Sequence, residues 1–349
     1  MTATTSKSFW KSSRDSFLKI VTNETFLYIV KRVLQALLTI FLASIVSFII
    51  IQLAPGDYLA ELRQNPKISP ERILELQQQF GLDKPWHVQY FLWLWRVLSQ
   101  GDFGTSFYYQ RSVASLIWER VPATLLLAFA SLILTWAIAI PLGIFAAVKQ
   151  NQATDRILQV LSYAGQGFPS FITALLLLIF AQITAPLFPV GGMTSIYHAQ
   201  LSPVGKVIDI LWHMILPTIA LSVTSFAGLQ RITRGELLDV LRQDYIQTAR
   251  AKGLPENRVI YVHALRNAIN PLITLLGFEL AALLSGAFIA EFFFNWPGLG
   301  RLTLQAVRAQ DIYVLMASLI MSALLLVIGN LVADLLLKVA DPRITLGKS

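Results

Sequence analysis

Few side chains in this chain could do chemistry, and their spacing argues against most of it. The four histidines, His87, His198, His213 and His263, are scattered without the spacing of metal ligands. No G-x-S-x-G and no H-E-x-x-H run is present, so nucleophilic and zinc-dependent hydrolysis lack their signatures. The absence of cysteine removes disulfides, thiolate nucleophiles and Cys-ligated metal together. Gly347, Lys348 and Ser349 imitate the end of a phosphate loop, but Pro342 stands where its first glycine is required and no helix can follow. No catalytic centre, bound metal or cofactor is therefore expected, and any ATP must be bound on another chain. One carboxylate stands out. Glu279 lies deep in the apolar run Ile269 to Phe294, where an ionised group facing lipid is costly. It reads either as part of a substrate path, with Gly286 beside it, or as a structural hydrogen bond.

The richest stretch is a connector, Asp244 to Pro271 (DYIQTARAKGLPENRVIYVHALRNAINP). Asp244 is placed to cap a helix, with Gln247 three residues on as in a capping box. Gly253 can take the left-handed closing position, and Pro255 forbids continuation. The spacing predicts a helix over Tyr245 to Lys252, about 12 Å long and marginal in water unless packed on a surface. Tyr245, Thr248, Ala249 and Lys252 fall on one face that it could offer to a partner, with Leu254 just beyond.

The elements that hold these residues are membrane spans. Hydrophobic residues are 55% of the chain against 14% charged, far from an ordinary soluble domain. Six stretches can cross a hydrocarbon core of about 30 Å: Val33 to Leu53, Ala123 to Val148, Ile157 to Leu187, Ile208 to Gln230, Ile269 to Phe294 and Tyr313 to Leu337. An interfacial helix near Ile208 would leave five. Of the 28 Lys and Arg, 18 fall in the N-terminal tail, Lys149 to Arg156, Arg231 to Arg266 and the C-terminal tail, and 3 in Phe188 to Val207 and Asn295 to Asp311. Positive-inside retention then puts both termini in the cytoplasm. The segment Pro55 to Val121 is too long for that rule, and its 7 basic residues are matched by 7 acidic ones. The net charge of +8 follows from this retention and from anionic lipid, so nucleic acid is not an expected partner. The uncharged first span is too long for a cleaved signal and reads as a retained helix.

The long segment carries an amphipathic helix at Ser69 to Phe80, closed by Gly81. Trp86, Tyr90, Phe91, Trp93 and Trp95 follow, suited to an interfacial helix or to an aromatic ligand cage. Gly277, Ala281, Ala282, Ser285, Gly286 and Ala290 recur at steps that let another helix approach. Pro141, Pro169 and Pro217 are expected kinks. At Trp296, Pro297, Gly298, Leu299 and Gly300, Pro297 fixes one angle and the glycines permit tight reversal, so the run reads as a rigid turn shaping an external mouth or as plain loop closure.

Several runs in order, ETFLYIVKRVLQ, GLDKPWHVQYFLWL, GDFGTSF, ERVPATLLLA, YIQTARAKG with HALRNAINP, and FNWPGLGRL, resemble the dipeptide/oligopeptide family of bacterial ABC importer permeases, from about Thr25 to Arg343. In that family the connector carries the E-A-A motif. Here Gln247, Thr248 and Ala249 hold its three places and Gly253 its glycine, while His263, Ala264, Leu265 and Arg266 keep only the Leu of the later I-x-L-P places. The resemblance implies an all-α, six-span type I ABC permease fold in the bacterial inner membrane, forming half of a heterodimeric path for peptides or a related solute. It also implies the partners: a homologous second permease, two ABC ATPases that bind the ATP, an external solute-binding protein and the lipid bilayer. The expected divisions are a cytoplasmic tail 1–29, a first span 30–54, an external segment 55–121, a permease core 122–338 with a coupling loop 231–268, and a cytoplasmic tail 339–349. Dipeptides, longer peptides, glutathione and nickel complexes all remain open as solutes. The rival classes are an ion-coupled secondary transporter, which would use Glu279 as a coupling carboxylate, and a membrane-embedded hydrolase, which the missing motifs disfavour.

Overall fold

Apolar runs of this length must satisfy every backbone group within themselves once water is gone, and the helix does so along one segment. The computed structural model describes residues 24–53, 59, 63, 69–79 and 81–340, with side chains for 30–53, 59, 63, 69–78, 81–276, 278–280, 283 and 287–332. The expected tails lie outside these residues up to position 23 and from 341, as does much of the start of the segment 55–121. The first helix, α1 (Glu24–Leu53), is followed by two short helices, α2 (Pro70–Gln79) and α3 (Trp86–Gln100), and by the long α4 (Val113–Val148). Next come α5 (Ala153–Gly167), α6 (Ser170–Ile183), the longest helix α7 (Pro203–Leu241), and α8 (Asp244–Ala251). A turn at Glu256–Arg258 and a π-helical stretch at Val259–Ala264 run straight into α9 (Leu265–Phe293), then α10 (Leu299–Arg308) and α11 (Ile312–Ala340).

Among the described residues, five helical stretches are long and apolar enough to cross a membrane singly, and α5 with α6 makes a sixth crossing only as a bent pair. In the expected span Ile157 to Leu187 the kink foreseen at Pro169 is a full break, because the chain turns by 99° between its halves. Pro169 is the cause. It lacks an N–H and drives the residue before it out of the helical region, and Phe168 is extended at φ −84°, ψ 119°. Pro141 and Pro217, expected as kinks alongside it, sit inside the helices α4 and α7. The fourth crossing begins earlier than Ile208: Ser202 caps α7 by accepting from the Gly205 amide at 3.2 Å, with Pro203 at the first turn. At about 1.5 Å per residue the 39 residues of α7 outrun any hydrocarbon core, and α8 follows directly on its C-terminal end.

The core is a column around α4, α7 and α9. Ala139, Leu229 and Leu272 meet at its middle, and Leu127, Met214, Leu283 and Trp296 nearer the α4 N-terminus. The helix α1 packs on α11 and α3 from outside, leaving Leu34, Leu37, Leu38, Val46 and Ile50 exposed as a lipid-facing stripe.

Candidate functional site

Two clusters, one apolar beneath the connector helix and one polar, occupy opposite ends of the column. Thr124 and Ala147, both on α4, belong one to each and are separated by about 35 Å at about 1.5 Å per residue, roughly a membrane's width.

At the C-terminal end of α4 stands the connector helix. Asp244 is not its cap, as expected from the sequence, but its first residue; Gln243 holds the extended cap position and makes no side-chain cap bond. The close is as expected. Gly253 is left-handed at φ 74°, its amide reaches Arg250 O at 2.9 Å, and the Leu254 amide reaches Ala249 O at 3.4 Å. These two bonds form a Schellman close, which satisfies carbonyls that the short helix would otherwise leave orphaned. Ala249 departs from the expected face. It turns inward with Ile246 into a cluster of Ile144, Leu237, Val259 and Ala264, with Leu254 packed at the edge. Tyr245 (44% accessible), Gln247, Thr248 and Lys252 point away and are exposed. The Tyr245 hydroxyl accepts from Asn267 Nδ2 at 2.9 Å, and Arg250 pairs with Glu256 at 2.7 Å. The first contact ties α8 to the first turn of α9 and the second to the turn at Glu256–Arg258.

The opposite end centres on a residue that sequence reasoning missed. Glu291 is fully buried near the end of α9, accepting from Thr124 Oγ1 at 2.6 Å and from the Gly300 and Arg301 amides at 2.7 and 3.2 Å. Thr124 in turn accepts from the Leu299 amide at 2.8 Å. The free N–H groups at the start of α10 thus converge on one carboxylate and its threonine, where the helix dipole favours negative charge. Trp296, 0% accessible, donates from its indole to Ala123 O at 2.9 Å.

At Trp296, Pro297, Gly298, Leu299 and Gly300 this geometry changes the reason for the glycines, which were expected to permit tight reversal. Gly298 has φ −102° and needs no left-handed backbone. Glycine is required for space instead: a Cβ on Gly298 would overlap the Glu291 carboxylate, and one on Gly300 would stand 2.5 Å from Phe288 Cα. Beside this latch the GDFGTSF run closes on a second buried acid. Asp311 accepts from Ser106 Oγ at 2.6 Å, the Tyr108 amide at 3.0 Å and the Val314 amide at 3.3 Å. Burial pushes the Asp311 carboxyl above the usual carboxylate range, and these donors pull it back only in part.

Glu279 lies between the two ends, half-buried on α9, with one carboxylate oxygen buried and unbonded. Gly286 lies on the same helix, but its surroundings, like those of Gly277, Ala281, Ala282 and Ser285, fall outside the described residues. His198 and His213, scattered in sequence, meet around Asp209, their Nδ1 atoms 2.7 and 3.3 Å from its two oxygens. The i,i+4 spacing of Asp209 and His213 was the available signal for that contact. Among the described residues no group of three or more His, Cys, Asp or Glu could hold a metal ion.

The model of the family described as "Binding-protein-dependent transport system inner membrane component" matches residues 139–346, and that of its N-terminal region residues 25–128. The chain is 40% identical to the oligopeptide transport system permease protein AppB of Bacillus subtilis (strain 168), over 91% of this chain and 98% of that one. It is 35% identical to the dipeptide transport system permease protein DppB of Escherichia coli (strain K12) and 36% identical to the glutathione transport system permease protein GsiC of Salmonella choleraesuis (strain SC-B67), each over 91% of this chain and 98% of the relative. A chain from the inward-facing MetNI methionine ABC transporter shares the fold, with a TM-score of 0.54 at 16% identity, over 65% of this chain and 97% of that one. Sequence, spans and fold agree: the chain is a multi-pass membrane protein of the type I ABC permease fold and belongs to the family of binding-protein-dependent transport system inner membrane components.

Proposed function

We propose that this chain forms half of the translocation path of an ATP-driven importer of peptides or related small solutes. In this reading it works beside a homologous permease, two ABC ATPases that bind all the ATP, and an external solute-binding protein. The α8 end faces the cytoplasm together with both termini, and the latch end faces outward. Relatives named as oligopeptide, dipeptide and glutathione permeases support the solute class. One observation carries the coupling role: α8 is anchored by Ile246 and Ala249 in the chain's own core and presents Tyr245, Gln247, Thr248 and Lys252 outward. A helix held on one face and bare on the other is built to be covered by a partner, and its short link to α9 makes it a lever. The experiment is the double variant Thr248→Glu with Gln247→Ala in the assembled transporter. Because both side chains are exposed, membrane insertion should be normal while ATPase co-purification and solute-stimulated hydrolysis fall at least fivefold. Wild-type values for both would refute the docking role.

A second reading, an ion-coupled carrier, has one observation in its favour, the unbonded buried oxygen of Glu279. In the ATP-driven reading the same group lines the path. Vesicles with ATP inside and no ion gradient should accumulate solute; accumulation only with a gradient would favour the carrier.

A further inference from the structure

At the latch end, on the flank away from Glu291, a cavity of about 290 Å³ is lined by Gly81, Lys84, Gln89, Trp95, Arg96 and Tyr313. Its cations are positioned by the chain. Gly81 closes the preceding helix at φ 67°, and Gln89 Nε2 donates to Lys84 O at 2.8 Å, fixing the loop that carries Lys84. Arg96 is partly buried, donates to the Tyr313 hydroxyl at 3.3 Å, and lies 5.6 Å above that ring. A guanidinium has five N–H donors, so most of those on Arg96 point elsewhere. Among the described residues neither Lys84 nor Arg96 has a carboxylate within 4.0 Å.

The surroundings of this cationic cavity are apolar. Phe91, Trp95 and Leu98 form an exposed stripe on α3, and Leu53, at the end of the lipid-facing stripe of α1, is 79% accessible. The inner face of α3 is used by Tyr90 and Trp93 against Phe48 and Met316. A water-borne anion would explain the two cations but not the apolar apron next to them. A lipid explains both, since its headgroup carries phosphate and its chains continue along α1, and tryptophans settle at headgroup depth. Two cations with no carboxylate within 4.0 Å among the described residues favour a headgroup with net negative charge over a zwitterion, whose phosphate is already paired with its own ammonium.

We propose that this cavity is a binding site for the phosphodiester headgroup of an anionic phospholipid, contacted by Lys84 and Arg96 with Trp95 as its apolar wall. The test is native mass spectrometry of the full-length chain, delipidated and titrated with phosphatidylglycerol, phosphatidylcholine or inorganic phosphate. Wild type should retain one phosphatidylglycerol at least tenfold more tightly than phosphatidylcholine, and inorganic phosphate at about 100-fold excess over the lipid should not displace it. Lys84→Ala with Arg96→Ala should weaken that retention about tenfold or more, whereas Lys206→Ala, a basic change elsewhere, should not alter it. Lys84→Ala alone, at an exposed position that folding does not depend on, should give about threefold. Equal retention of both lipids, wild-type retention by the double variant, or displacement by phosphate as a free-anion site would each overturn the proposal.

Discussion

The Glu291 cluster and the helix α8, at opposite ends of the column, spend their polar groups in opposite ways. At the α10 end Glu291, Thr124, Asp311 and Ser106 are buried and bonded to one another or to nearby amides, and Trp296 is sealed beneath them. At the other end the buried Asp155 is likewise bonded, to Arg234 at 2.6 Å, but α8 itself is seated by apolar contacts of Ile246 and Ala249 and leaves the polar residues Gln247, Thr248 and Lys252 in the open. The Glu291 cluster is finished by its own chain; in the proposed reading, α8 is finished by a partner. A buried carboxylate stripped of its partners costs several kilocalories, whereas an exposed amide or hydroxyl costs little to leave uncovered. Damage at the α10 end should therefore unmake local structure, while damage at the α8 face should unmake an assembly.

The largest effect expected is from Glu291→Ala. It would leave the Thr124 hydroxyl and the Gly300 and Arg301 amides without their acceptor, at about 1–3 kcal/mol for each buried group that finds no water. Hydrogen exchange should accelerate across residues 296–303 and solute uptake should be lost, while exchange in α8 stays unchanged. Gly298→Val should copy this by displacing the same carboxylate, with ATPase assembly intact; normal uptake would remove the latch from the account. Next comes Gly253→Val, which forces a side chain into left-handed backbone at about 1–2 kcal/mol. It should lower ATPase co-purification several-fold without disturbing residues 296–303. Smaller still is Arg250→Ala, which breaks a partly exposed ion pair with Glu256 worth about 0.2–1 kcal/mol. Its effect on coupling should vanish in high salt, and persistence there would mean the pair does more than align α8.

The smallest prediction is a pH dependence at Asp311. Its carboxyl is raised in the folded state, so the folded chain holds a proton that the unfolded chain has released. The contribution to stability is thus fully present below the ordinary carboxylate value of about 3.9 and is lost as pH climbs through the raised one. Local opening of residues 105–111, from hydrogen exchange corrected for its intrinsic pH dependence, should become easier over that rise. Asp311→Asn should flatten the slope; an unchanged slope would assign it to another group.

The spans and the closing of α8 were legible in the sequence because each depends on neighbours in the chain. Gly253 followed by Pro255 can mean little else at the end of a short helix. The cap was misread by one residue, since Gln243 holds that place with its backbone alone and leaves no side-chain signature. Ala249 was placed on the outer face because helical periodicity groups residues without saying which side the rest of the protein occupies. Glu291 was missed for a related reason: its partner Thr124 lies 167 positions away, and a carboxylate near a span end looks like one that reaches water. Gly298 must be glycine because the Glu291 carboxylate, seven positions earlier, folds back against it, which no local pattern announces. The bend at Phe168 and Pro169 was half legible, as proline predicts a fault in the helix but not a turn of 99°.

The proposed coupling role depends most heavily on α8 being covered by another subunit. The absence of cysteine from the chain makes a direct measurement simple: the rate at which Thr248→Cys reacts with a bulky maleimide, in the assembled transporter and after the ATPases are stripped away. The account predicts strong protection in the assembly and at least a tenfold faster reaction once stripped. Equal rates in the two states would contradict it.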